Sequence, residues 1–582
     1  MPNINSFWAS LIVEELIRNG VDYFCISPGS RSTPLTVAVA RNPKAQSQIC
    51  IDERGAAFHA LGYARATGKP AALICTSGTA VANYFPAVVE ASMSYVPMLI
   101  LSADRPPELR ETGANQTIRQ PNIFGGYTRW QFDLPCPDEA VSPHMVLTTV
   151  DHAFAHAVGS PSGPVHLNCM FRDPLVPVEV PVGKACRESI SAWRQTDAPY
   201  TKTPASLRCI SENSLTAVAE IFRLAERPMI VVGGLITVDD ASAIDRLSQA
   251  LNVPLFADIA SGLRLGNSSE NHLAYYDQLL LSERFRYDCV PDAVLHFGGQ
   301  ITSKRLNTAL EQWMPAHYMV VKNHPFRYDP SHRATHSIGS NIPAFCEALI
   351  PLVEKSGRTT RSELCLKNRV VAQVIEAELE SETLVSEISL ARLVSKLIPN
   401  DWGLFISNSM PIRDMDMYAA VDAVRVPVGV NRGASGIDGI IASASGFAVG
   451  LNRPVTLVIG DISFLHDLNS LILARAARQT IVIVVINNGG GGIFSFLPIS
   501  EHTDVFEQYF ETPQSFSIEE AAKMFGLDYY APQTNKDFTL AYQMALGKRQ
   551  VAIIEVRTNR RENFKAHKDL QARILAALEK AQ

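Results

Sequence analysis

The chain has 582 residues, room for roughly two to four domains at about 150 residues each. Its 47% hydrophobic and 19% charged residues are those of a soluble globular protein, which excludes a disordered chain. Lys and Arg number 52 against 58 Asp and Glu, so the net charge is −6; this argues against a general polyanion binder but leaves room for a local basic pocket.

Ten cysteines are scattered without a CxxC, and no HExxH occurs, so zinc fingers, dithiol redox centres and zincins are disfavoured. A reducing cytosol suits them better than a disulfide scaffold. The opening Met-Pro-Asn-Ile-Asn lacks the pattern of a signal peptide, and apolar runs such as Ile481–Ile486 are too short to span a membrane. A multidomain cytoplasmic enzyme is expected.

In chain order, apolar strand-length runs end in Gly, Ser, Asn or Asp, and amphipathic stretches follow. They are Tyr23–Ser27, Ala71–Thr76, Met98–Ser102, Met229–Gly233, Ala293–Phe297, Tyr318–Lys322, Leu404–Ser407, Val455–Gly460 and Ile481–Ile486. This rhythm predicts α/β architecture with parallel, doubly wound sheets covered on both faces. Polar stretches at 183–206 and 354–369 read as linkers, giving domains at 1–182, 207–353 and 370–582. The shared rhythm suggests a duplicated architecture. Ligands in such sheets gather outside the C-terminal strand ends.

The first segment ends its first strand in Ser27-Pro28-Gly29-Ser30-Arg31-Ser32-Thr33-Pro34. Ile49–Glu53 reads as a short strand ending in acids, and Arg54–Gly68 as a helix with a small-residue face and a glycine end. Ser77-Gly78-Thr79-Ala80, Ala103-Asp104-Arg105-Pro106-Pro107-Glu108-Leu109 and Gly113-Ala114-Asn115-Gln116 follow. The middle segment offers Gly298-Gly299-Gln300-Ile301-Thr302-Ser303-Lys304-Arg305 and has no GxGxxG. In the third, Leu404–Ser407 leads into Asn408-Ser409-Met410-Pro411-Ile412-Arg413, then Asn431-Arg432-Gly433-Ala434-Ser435-Gly436-Ile437-Asp438-Gly439.

Val455–Gly460 ends on Asp461. A helical stripe over Ile462–Gln479 (Phe464, Leu465, Leu468, Leu471, Ile472, Ala476) leads to a strand at Thr480–Ile486 ending in Asn487-Asn488-Gly489-Gly490-Gly491-Gly492. The 27 residues from Asp461 to Asn488 accommodate one crossover helix and one returning strand, which sets a carboxylate beside an amide oxygen on one sheet edge. Such hard oxygens suit Mg²⁺ with room for phosphate oxygens and water. Arg31, Arg105, Lys304, Arg413 and Arg432 are five cations at strand-end loops, and guanidinium forks suit substrates carrying several carboxylates.

The Gly-Asp…Asn-Asn pattern resembles the thiamine diphosphate enzymes, with Ile462 standing where many members carry Gly. The resemblance implies Asp461, Asn488 and the Gly490 carbonyl as Mg²⁺ ligands, with Mn²⁺ as the alternative ion. It implies Ile437 as the residue that props the cofactor in a bent shape. The first segment resembles the pyrimidine-binding domain of the same enzymes, the central segment their middle α/β domain and the last their diphosphate-binding domain. Glu53 falls on the family's glutamate. A carboxyl hydrogen-bonded to a pyrimidine nitrogen favours the imino tautomer of the exocyclic amine, which then acts as a base. That task calls for a Glu buried in an apolar pocket that raises its pKa.

Glu53 and the metal motif stand at opposite ends of the chain, so the resemblance implies a homodimer at least, with a dimer of dimers expected. Within the family, the Ser30, Arg105, Gln116 and Asn431–Gly439 blocks resemble the synthases of menaquinone and phylloquinone biosynthesis, which use 2-oxoglutarate and isochorismate. That resemblance implies Arg413 and Arg432 on the distal carboxylate of 2-oxoglutarate, and Ser30, Arg31, Arg105 and Lys304 on isochorismate. Gln116 would orient intermediates, Ser409 would contact the diphosphate, and Ile493, Phe494 and Leu497 would form an apolar wall over the thiazolium. Two alternatives remain: another thiamine-dependent 2-oxo-acid carboligase or decarboxylase, such as an acetohydroxyacid synthase, and a catalytically silent diphosphate-binding scaffold.

Overall fold

The computed structural model describes residues 3–204, 206–267, 269–353 and 362–581. It contains three parallel sheets. The first has strands β1 (Tyr23–Ile26), β2 (Gln46–Ile49), β3 (Ala71–Cys75), β4 (Met98–Asp104), β5 (Trp130–Leu134) and β6 (Pro164–Met170) in the order β2-β1-β3-β4-β6-β5. The second has β7 (Pro228–Val232), β8 (Leu255–Ala257), β9 (Ala293–Phe297), β10 (His317–Lys322) and β11 (His336–Gly339) in the order β11-β10-β9-β7-β8. The third has β12 (Gly403–Ile406), β13 (Val428–Val430), β14 (Val455–Gly460), β15 (Ile481–Asn487), β16 (Asp528–Tyr530) and β17 (Ala552–Arg557) in the order β13-β12-β14-β15-β17-β16. The first and third sheets therefore share one strand order. The central strands are apolar and fully buried, as parallel strands flanked by helices must be.

The chain forms two compact units. One comprises Met1–Ser206, Gly433–Asn452 and Asp467–Arg478, and the other Leu207–Arg432, Arg453–His466 and Gln479–Gln582. In the first, the helix Glu53–Thr67 lies on the helix Ile440–Leu451 at backbone distance. A Cβ at Gly62 would stand 1.9 Å from the Ser443 carbonyl oxygen, and one at Gly446 would stand 1.8 Å from that of His59. Only glycine allows the approach. In the second unit, side chains from the second and third sheets share one continuous core, with Phe256, Tyr276 and Leu310 in the same cluster as Ile406, Val484 and Ile554.

Three local readings are corrected. The strand expected over Ile49–Glu53 lies earlier, at the sheet edge with Ile49 half exposed, and Glu53 opens a helix whose cap is the Asp52 carboxylate, accepting from the Arg54 amide at 3.0 Å. The single helix expected over Ile462–Gln479 is broken into Asp461–His466, the 3₁₀ turn Leu468–Ser470 and Leu471–Ala476. The break is at buried Asp467, which accepts from the Ala442 amide (3.0 Å) and the Ser470 hydroxyl (2.7 Å). It shifts the helical phase, so Leu473 and Ala474 are buried while Ile472 and Ala476 face solvent. The stretch 183–206 carries short helices at Lys184–Ser189 and Ser191–Arg194, and Ile190 and Trp193 are buried in the first sheet's core. Two apolar residues are too few to show a period. Of the second expected linker, 354–361 lies outside the described residues, and from Ser362 the backbone is a long helix to Ser381.

Candidate active site

Of the expected site residues, Ser30, Arg31, Glu53, Arg105, Gln116 and Ile437 belong to the first unit. Lys304, Ser409, Arg413, Arg432, Asp461, Asn488, Gly490, Ile493, Phe494 and Leu497 belong to the second.

β14 and β15 are adjacent and in register, so their ends emerge together. Asp461 Oδ2 accepts from the Gly490 amide at 3.0 Å and Oδ1 from the Ile462 amide at 2.7 Å. Burial pushes the Asp461 carboxyl up to about 6, against the pull of the amides of Ile462, Gly489 and Gly490. The Asn488 Oδ1 is buried without a hydrogen-bond partner. The Gly490 carbonyl accepts from the Gly492 amide at 2.9 Å and keeps a second lone pair. A Cβ on Gly490 would meet the Glu511 carbonyl oxygen at 2.3 Å.

Ser409 ends the turn after β12 with φ +68°, a left-handed conformation that a serine adopts only under strain, and the helix Met410–Tyr418 starts from it. Arg413 in that helix donates to the Ser409 carbonyl. Burial first, then the neighbouring Arg432, hold the Arg413 guanidinium below the ordinary arginine value. Arg432 donates to Asn408 Oδ1 at 3.2 Å, and Asn408 donates to the Asn431 carbonyl at 2.8 Å. Asn408 thus clips the ends of β12 and β13 together, a role without a signal in the sequence.

Lys304 and Arg413 face one cleft of about 510 Å³ with Ile493 and Leu497. Arg305 and Lys568 line it too, and neither stood among the expected site residues. Arg305 is tethered to Asp277 at 2.5 Å. Phe494 meets Phe510 edge-on at 5.7 Å and is not on the cleft lining.

In the first unit Arg31 is buried and donates to the Phe171 carbonyl at 2.9 Å. Burial and then Arg105 lower its pKa, so these two cations also stand near one another. Arg105 donates to the Asn115 carbonyl at 3.0 Å. Gln116, at φ +56°, donates to the Ser77 carbonyl at 3.0 Å, and Ser30 is exposed beside Arg31. Glu53 is partly exposed at the first turn of its helix, not enclosed as the tautomer argument required of it. Ile437 is half-buried in the loop before Ile440–Leu451. That loop is held by buried Glu90, which accepts from the amides of Gly433 (2.8 Å) and Ala434 (2.6 Å) and pairs with Arg65 at 2.7 Å. Arg31 lies 3.8 Å from Asp173, and Asp414 acts on Arg413, so the protein's own carboxylates offset part of the repulsion within each arginine pair.

Three family models match in succession. They are the N-terminal TPP-binding domain of thiamine pyrophosphate enzymes at residues 8–123, the middle domain at 184–406 and the C-terminal TPP-binding domain at 430–556. Similar full-length relatives are named 2-succinyl-5-enolpyruvyl-6-hydroxy-3-cyclohexene-1-carboxylate synthase. The protein of Prosthecochloris aestuarii is 49% identical over 100% of this chain and 99% of the relative. That of Chlorobaculum tepidum is 48% identical over 99% of this chain and 98% of the relative. The chain belongs to this synthase family. An X-ray structure of a Mycobacterium smegmatis protein assigned as a thiamin diphosphate-dependent enzyme shares the fold, with TM-score 0.72, 16% identity and coverage of 95% of this chain and 99% of that one.

The three parallel α/β domains are thus those of a thiamine diphosphate-dependent synthase. The residues at the ends of β14 and β15 fit the diphosphate end of that cofactor with its metal. The Asn488 oxygen is left buried without a protein partner, and Asp461 supplies a carboxylate held by the Gly490 amide. Among the described residues no cluster of three His, Cys, Asp or Glu stands ready for a metal. A site with one carboxylate and two neutral oxygens suits an ion that takes its remaining ligands from phosphate and water. No helix among the described residues is long and apolar enough to cross a membrane.

Proposed function

We propose that this synthase is a cytoplasmic transferase of menaquinone or phylloquinone biosynthesis. It decarboxylates 2-oxoglutarate and adds the four-carbon fragment to isochorismate in a 1,4-addition, with a homodimer as the smallest active unit and a dimer of dimers as the larger form. The observation that carries this reading is the convergence of Lys304 and Arg413 on one cleft with an apolar wall, Arg432 standing beside Arg413. A cofactor that needs one metal ion does not need these cations, whereas a dicarboxylate substrate does.

Thiamine diphosphate, when bound, supplies the electron sink for loss of CO₂ from a 2-oxo acid. Asp461, Asn488 Oδ1 and the Gly490 carbonyl hold Mg²⁺, or Mn²⁺ in its stead, and Ser409 at the start of its helix binds the diphosphate. Ile437 props the cofactor, and the Glu53 carboxyl holds the proton it shares with the pyrimidine nitrogen. Arg413 and Arg432 grip the distal carboxylate of 2-oxoglutarate. Ser30, Arg31, Arg105 and Lys304 bind isochorismate, and Gln116 orients the intermediates. Ile493 and Leu497 keep water away while the new carbon–carbon bond forms, and Phe494, packed on Phe510, backs that apolar wall from outside the cleft lining. Glu53 and Asp461 belong to different compact units, and a second chain completing the pocket of Glu53 accounts for the carboxyl's partial exposure. The domain limits 1–182, 207–353 and 370–582 belong to this reading.

The test is a product assay with thiamine diphosphate and Mg²⁺, supplying 2-oxoglutarate with and without isochorismate and, in a separate arm, pyruvate alone. The expected result is one succinylated cyclohexadiene-derived product only when both are present. An acetolactate-type product from pyruvate, or cofactor binding with no turnover of either substrate, would overturn the reading.

A further inference from the structure

The Asn488 carboxamide serves a metal only if its oxygen, not its nitrogen, faces the ion. An amide can turn over, so something must set its direction. Asn488 Nδ2 donates to Glu387 Oε1 at 3.1 Å, and the same oxygen accepts from the Thr558 hydroxyl at 2.9 Å. Glu387 is 1% exposed and is the first residue of the helix Glu387–Leu397. Ser386 fixes that start by accepting from the Ser389 amide at 3.1 Å. A Cβ on Gly492 would come within 2.6 Å of Asn488 Nδ2, so the glycine leaves the carboxamide its space. An Oε1 that already receives one hydroxyl proton attracts the NH₂ end of the amide and repels its oxygen.

We propose that Glu387 is a positioning residue that holds Asn488 with its Oδ1 turned outward toward the metal. The inference rests on the reading of Asn488 as a metal ligand and names the group behind it. Outer-shell partners of this kind are typically worth about 10–100-fold in metal affinity.

The experiment titrates Mn²⁺ into the full-length protein with saturating thiamine diphosphate and follows free Mn²⁺ by electron paramagnetic resonance. Glu387→Leu removes the acceptor and is expected to weaken Mn²⁺ binding about 10–100-fold. Glu387→Gln keeps a carbonyl acceptor and is expected to stay within about threefold of the unaltered protein. Equal weakening in both variants would mean that charge and not orientation matters, and unchanged affinity in a folded Glu387→Leu protein would mean that Glu387 does nothing for Asn488; either overturns the proposal. Asp461→Asn is the separate control: if it too leaves Mn²⁺ affinity unchanged, the metal site itself is misread. Should Glu387→Leu fail to fold, the swapped pair decides. Asn488→Asp sets two acceptors face to face, and adding Glu387→Gln is expected to raise its melting temperature; no rise overturns the inference.

Discussion

The Gly490 amide donates to Asp461 Oδ2 across 29 residues of chain, joining the ends of two adjacent buried strands at 3.0 Å. This bond ties the Asp461 carboxylate to the backbone two residues after Asn488, and the proposed metal ligands are tested there. Asp461→Asn and Asn488→Ala are expected to weaken Mg²⁺-dependent retention of thiamine diphosphate by at least about 100-fold, because each removes one of few protein ligands. Calorimetric titration of the cofactor with and without Mg²⁺ measures this, and retained Mg²⁺ dependence in both variants would contradict it.

Glu53→Gln keeps the size of the side chain but cannot share a proton with a ring nitrogen. Cofactor affinity is expected to change little, while kcat falls by about 100-fold or more, the usual range for loss of a positioned acid–base group. Full turnover in this variant would end the tautomer argument.

The neighbouring guanidiniums of Arg413 and Arg432 are expected to act on the same carboxylate. Arg413→Ala and Arg432→Ala should each lower kcat/KM for 2-oxoglutarate by about 30- to 10³-fold, from the loss of a charge-assisted hydrogen-bonded pair worth roughly 2–4 kcal/mol. The double variant should fall short of the product of the two, since the groups share a ligand. Steady-state kinetics with 2-oxoglutarate settles this, and unaltered turnover in both single variants would remove the assignment.

Gly446 meets the His59 carbonyl where no side chain fits. Gly446→Val is expected to lower the melting temperature by several degrees and to weaken cofactor binding, since the helix displaced is the one that starts at Glu53. A melting curve matching that of the unaltered protein would show that the helices separate without cost.

His166 is buried against the Ser102 hydroxyl at 2.6 Å, and burial lowers its pKa to about 4. Between that value and the unfolded value near 6.5 the unfolded chain binds a proton that the folded chain does not, so this contribution is present at neutral pH and is lost as the pH falls. Roughly 2 kcal/mol of it is gone by pH 5. Buried acids such as Glu15, raised to about 8, act in the opposite direction, so the effect is read as a difference. The stability margin of the unaltered protein over His166→Gln is expected to shrink from pH 7.5 to pH 5, and a constant margin would refute it.

Much of this was legible in the residues because parallel buried strands are written as unbroken apolar runs. Ala293–Phe297 and Val455–Gly460 are strands at the expected limits. Gln46–Ile49, with its polar and exposed edge, was not readable in that way. The break at Asp467 was hidden because its cause is a bond to Ala442, remote in sequence. Glu387 reads locally as an acid at a capped helix start, and nothing nearby announces that its partner lies 101 residues on. Arg305 stood beside Lys304 in plain view, but its place on the cleft is set by the tether to Asp277.

The polypeptide passes between its two compact units at residues 206, 432, 452, 466 and 478. The protein is therefore braided, not beaded. A fragment cut after residue 206 would leave the helix Glu53–Thr67 facing water along its glycine and alanine ridge, deprived of the segment that covers it. Neither unit is a single continuous stretch of chain, and synthesis must reach residue 478 before the first has all of its pieces.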